Sequence, residues 1–108
     1  MAKAVSSFNI NAFLEKEELK GSGSNFNDWH RNVRIILAGC KKSYVLDAPL
    51  GDAPGDSATQ DDLDVYESRS DDYIMVKCAI LTCLEPELQK PFENHRAYEM
   101  VQELKTIF

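Results

Sequence analysis

The stretch Asn25-Phe26-Asn27-Asp28-Trp29-His30-Arg31-Asn32-Val33-Arg34-Ile35-Ile36-Leu37-Ala38-Gly39-Cys40 decides the fold. It carries the chain's single tryptophan, directly after Gly21-Ser22-Gly23-Ser24. Counting from Trp29, Val33, Ile36, Leu37 and Cys40 recur at offsets that share one face of a helix, while Asn27, Arg31 and Arg34 fall on the other side. Asn25 or Asn27 is placed to cap the first free amides, and Phe26 to pack back on the first turns. The reading is an amphipathic helix over about 27–39, with Trp29 as the anchor of a helical core.

Upstream of it, residues 1–10 lack periodicity and read as a flexible N-terminus. Asn11 is placed to cap a short helix through Lys20, with Phe13, Leu14 and Leu19 touching the core and Gly21 ending it. Downstream, a short helical piece from Lys42 to Leu46 leads into Pro49, and Gly51, Pro54 and Gly55 mark 49–59 as an exposed loop. A long helix begins near Gln60 or Asp61, where aspartates suit the positive end of the helix dipole. Its first half is mostly polar, with Leu63, Tyr66 and Tyr73 as contacts. From Ile74 to Leu84 only Lys77 and Thr82 are plainly polar, which predicts a central helix with neighbours around it and Lys77 snorkelling to the surface. Glu85-Pro86 suits the first turn of another short helix towards Phe92, limited by Pro91. Asn94 is placed to cap the last helix, whose Ala97, Met100, Val101, Leu104 and Phe108 share one face. No strand, internal repeat or heptad seam is apparent. Residues 11–108 form one all-α domain, and Trp29, Val33, Leu37, Ile80, Leu81, Leu84, Val101 and Leu104 are its expected core.

Several segments, taken in order, resemble the start of Gag in plant Ty1/copia-type retrotransposon polyproteins. They are Phe13-Leu14-Glu15-Lys16-Glu17-Glu18-Leu19-Lys20, then Gly23-Ser24-Asn25-Phe26-x-Asp28-Trp29-x-Arg31-Asn32-x-Arg34-Ile35. Lys41-Lys42-x-Tyr44-Val45-Leu46-x-x-Pro49-Leu50, Cys78-x-x-Leu81 with Glu87-Leu88-Gln89, and Ala97-Tyr98-Glu99-Met100-Val101-x-x-Leu104-x-x-x-Phe108 continue the likeness. It spans residues 8 to 108, and the loop from Gly51 to Thr59 departs from it. The resemblance implies a small helical bundle of about four to six helices, similar to a capsid N-terminal domain. It implies a structural role: copies associate into the shell of a virus-like particle, and element RNA is engaged by segments further along the family's polyprotein. A Gag-derived helical adaptor that binds a host protein or peptide is the alternative.

At 108 residues, with 44% hydrophobic and 28% charged residues, the chain has the composition of one globular domain. No apolar run approaches the roughly 18 residues that span a bilayer, and the N-terminus carries no secretory pattern, so no membrane contact is expected. Cys40, Cys78 and Cys83 make an odd count among apolar residues and read as reduced, buried thiols of a cytoplasmic protein. A formal net charge of −6 works against phosphate binding. Arg31, Arg34, Lys41 and Lys42 form one basic group, and Asp61, Asp62 and Asp64 belong to an acidic run in 52–72 relieved by Arg69 alone. These two groups either neutralise each other locally or orient copies head to tail, and they are the candidate interaction residues. Ile35, Val65 and Val76 are candidate members of an apolar patch beside them.

Catalytic signatures fail on their local context. Gly55-Asp56-Ser57-Ala58 lacks the glycine and flanking strands of an aspartic-protease turn. The acidic run lacks the register of a calcium loop. His30 and His95 stand apart without a partner at metal spacing, and His30 reads as a surface histidine. Cys78 and Cys83 cannot face one ion, and no zinc knuckle or phosphate loop is present. The sequence offers no catalytic, cofactor or metal residues, and no small-molecule ligand is expected.

Overall fold

A computed structural model describes residues 18–108. Four α-helices, α1 (Phe26–Gly39), α2 (Gln60–Thr82), α3 (Pro86–Gln89) and α4 (Ala97–Ile107), are joined by 3₁₀ turns at Ser43–Leu46 and Lys90–Phe92. The domain is an all-α bundle. The flexible N-terminus expected for 1–10, and Phe13 and Leu14 of the helix expected from Asn11, lie outside the described residues.

The core forms where the helical periodicities converge. α1 contributes Phe26, Trp29, Val33 and Leu37, all buried, and α4 contributes Ala97, Met100, Val101 and Leu104. The Ser43–Leu46 turn inserts Val45 and Leu46 between them, touching α1, α2 and α4. Seven of the eight expected core residues are buried; Leu81 is half-buried at the edge. Trp29 is the largest of the fully buried side chains. Its indole N–H faces the Cys83 sulfur without reaching hydrogen-bond geometry. Burial pushes the Cys83 thiol up to about 12, and the Trp29 N–H opposes that rise. Cys83 is therefore an inert thiol that donates to the Ile80 carbonyl.

Several expectations are corrected. Residues 18–20 are extended rather than helical. Leu19 is buried as expected, but through an isolated parallel bridge to Leu84, with its N–H donating to the Cys83 carbonyl at 2.7 Å. Asn25 sits at the α1 N-cap without capping it. Its side chain accepts from Lys20 N and donates to the Glu18 carbonyl, tying the incoming strand to the helix start. The α4 cap position belongs to Arg96, and Asn94 stays outside the helix. The apolar half of α2 is covered on one side only: Tyr73, Val76, Ala79 and Ile80 are buried, whereas Ile74 is 57% exposed and Cys78 is also open. Among the described residues the main neighbours of α2 are α4 and the Ser43–Leu46 turn, against its buried face. Val76, expected at the surface, points into that face, and Leu63, expected as a contact, is exposed. Of the three thiols only Cys83 is buried. Lys77 reaches out as expected, donating to the Glu93 carbonyl at 2.6 Å.

Gly23 has a positive φ of 73°, and the Phe108 ring occupies the place a Cβ would take. Phe108 also lies 5.7 Å from the Phe26 ring, so the last residue of the chain clasps the entry to α1.

Candidate interaction surface

The basic group is divided among three partners. Arg31 pairs with Asp28 at 2.8 Å, one turn back on the same exposed face of α1. Arg34 reaches Asp47 at 3.0 Å and so ties α1 to the base of the loop. Lys42 pairs with Asp72 of α2 at 2.9 Å in a half-buried setting, where the Tyr44 hydroxyl donates to the other carboxylate oxygen. Desolvation works to raise the Asp72 carboxyl, but the hydrogen bonds from Tyr44 and Lys42 overcome it and hold the pKa below the ordinary value. Burial first, then the hydrogen bond to Asp72, pushes the Tyr44 hydroxyl up to about 12. This triad is a structural clamp between α2 and the segment after α1.

Lys41 forms no ion pair among the described residues. Its φ is +62°, and it closes α1 in a Schellman turn: Lys42 N donates to the Leu37 carbonyl and Lys41 N to that of Ala38. Glycine usually fills this left-handed position. The exposed Lys41 side chain stands at the end of α1 beyond Arg31 and Ile35.

The acidic group opens α2. Thr59 and Asp62 form a reciprocal capping box, each side chain accepting from the other's backbone N–H at 3.1 Å. Asp64 accepts from Gln60 at 2.9 Å, and Asp61 stands exposed in the first turn. Asp52, Asp56, Asp61, Asp62, Asp64, Glu67 and Asp71 have no ion-pair partner among the described residues. The structure thus gives Arg31, Arg34 and Lys42 other acids as partners and does not join them to Asp61, Asp62 or Asp64 within one molecule.

The first three turns of α2 hold no fully buried residue. They run beyond the core, and the 47–59 loop leans against their underside. Between loop and helix lies an open groove of about 500 Å³, lined by Leu50, Pro54, Ala58, Val65 and Tyr66. Arg69 closes one end, its guanidinium 6.0 Å from the Tyr44 ring centre. Sequence reading missed this groove because the loop's placement is non-local. The Thr59-x-x-Asp62 signature and the Asp28–Arg31 spacing were both visible in the sequence and were the available signals.

His30 is not a simple surface residue. Its ring stacks on Phe26 at 5.5 Å and 5°, and Nε2 is buried without a hydrogen-bond partner among the described residues. Desolvation, then the positive charges of Lys105 and Arg34, lower its pKa. His95 likewise has partners: its Nε2 is 2.8 Å from Glu103, and its ring meets Phe92 edge-on. Among the described residues no group of three or more His, Cys, Asp or Glu could hold a metal ion, and no helix is long and apolar enough to cross a membrane. Comparison of the chain with protein-family models, curated proteins and solved structures finds no match.

Proposed function

We propose that the chain is a structural, self-associating domain of the capsid type found in copia-like Gag, working by repeated surface contact rather than by catalysis. The observation that carries this reading is the unsupported start of α2. A helix gains most of its stability in a protein from tertiary packing of its apolar face. Here three turns hold no fully buried residue, only the half-buried Tyr66 and Ser70, while Leu63 and Val65 stand open on them and Ile74 and Met75 on the turns that follow. Such a helix fits a surface completed by another chain. The ordered Gag-like segments from Phe13 to Phe108 supply the identity of that chain as a further copy. Symmetric assembly requires only that one complementary contact be repeated.

The open groove under α2 also suits an adaptor that takes a peptide from a host protein. Amide shifts followed by NMR over a concentration series separate the two. Self-association moves resonances of 60–78 as concentration rises. Spectra unchanged up to millimolar concentration would reject the capsid-type reading in favour of the adaptor.

A further inference from the structure

We infer that self-association uses a knob on α1 and the groove beneath α2: Ile35 of one copy seats in the groove between Leu50, Pro54, Val65 and Tyr66 of another. This rests on the self-association reading and specifies its contact. Ile35 is 59% exposed on the solvent face of α1, an apolar side chain with nothing over it among the described residues. Arg31 lies one turn before it on the same face, and Arg34 adjoins it. Lys41 stands at the helix end without an ion-pair partner among the described residues. The knob is therefore apolar at its tip and cationic around it.

The groove has the complementary form. Its lining is mixed: Leu50, Pro54, Ala58, Val65 and Tyr66 place apolar side chains among polar ones, and Val65, also 59% exposed, stands open in it. Asp52 and Asp62 are among its lining residues; Asp61 adjoins Asp62 in the chain, and Asp56 lies between the lining residues Gly55 and Ser57. No residue of α1 lines it, so knob and groove belong to different elements and one copy can offer both at once. Arg69 is the one cation lining it, held at the end next to Tyr44. Among the described residues Arg31 is engaged by Asp28 alone, in an exposed pair that exchanges partners at little cost. Apolar seating would supply most of the affinity and the charges the orientation. The contact closes a dimer or ring, or continues as a row, according to the rotation between copies.

The test uses Ile35→Asp, which spoils the knob, and Val65→Lys, which sets a cation in the groove. Both positions are exposed, and unchanged thermal melts would verify folding. Each variant alone should lower the association constant by about tenfold or more. A mixture of the two, which retains one intact knob and one intact groove, should form a one-to-one complex. Variants that associate as well as wild type, or a mixture no tighter than its parts, would overturn the knob-and-groove contact while leaving self-association standing. A wild type that stays monomeric at millimolar concentration would reject self-association itself.

Discussion

Trp29 joins helix periodicity to core stability in one side chain. It is 1% exposed and meets Phe26, with ring centres 6.0 Å apart. Trp29→Ala should cost roughly 3–5 kcal/mol, enough to unfold many domains of this size. Trp29→Phe should cost far less, because it also removes an indole N–H that has no partner. Chemical denaturation measures both, and a fully water-exposed tryptophan emission in the native protein would refute the placement. At Asp72, truncation to alanine leaves the Tyr44 hydroxyl and the Lys42 ammonium half-buried without their acceptor. A loss of roughly 1–3 kcal/mol is expected from the same measurement. His30 sets the pH response. Its folded pKa lies below the ordinary 6.5, so the unfolded chain takes up the proton more readily. Its contribution is whole above that ordinary value and is lost as pH falls from there through the folded value. In a His95→Gln background, the melting temperature should drop on acidification to about pH 5.5. His30→Phe, which keeps the stack on Phe26, should flatten that slope.

At the scale of elements, α2 is two helices in one. Its second half is fixed by Tyr73, Val76, Ala79 and Ile80 in the core, whereas its first half holds together through the Thr59–Asp62 box and local propensity. Thr59→Ala should remove roughly 0.5–2 kcal/mol from the helix start. Because that half holds no fully buried residue, the loss should appear as faster amide exchange over 60–70 with almost no change in global melting; a large fall in melting temperature would mean the first half is part of the cooperative core. Helix existence was legible in the sequence because α1 and α4 carry a 3.6-residue pattern, and α2 because an aspartate-rich start leads into a long run without Gly or Pro. Leu19 was legible as a core residue but not as a bridge, since pairing with Leu84 depends on a partner 65 positions away. Ile74 and Val76 were misjudged for a related reason. An apolar run states that burial is available, and only the neighbours decide which side receives it. Asn25 obeyed capping composition but spends its side chain on Lys20 N and the Glu18 carbonyl, and Asn94 lies two residues before the α4 cap position.

At the scale of the whole molecule, charge is sorted as much as it is neutralised. Arg31, Arg34 and Lys42 each pair with an acid near the body, while the acids from Asp52 to Asp64 have no ion-pair partner among the described residues. The basic and acidic groups were legible from sequence, but their division was not, because Arg34–Asp47 and Lys42–Asp72 join segments brought together by folding. The resulting surface combines apolar side chains, acids without an ion-pair partner among the described residues and an open groove, an arrangement that suits the proposed self-association. Sedimentation equilibrium from micromolar to millimolar concentration tests this most directly. The account predicts an average mass that climbs above the 12.2 kDa of one chain as concentration rises, more weakly in high salt; a mass that holds at one chain throughout the range would contradict it.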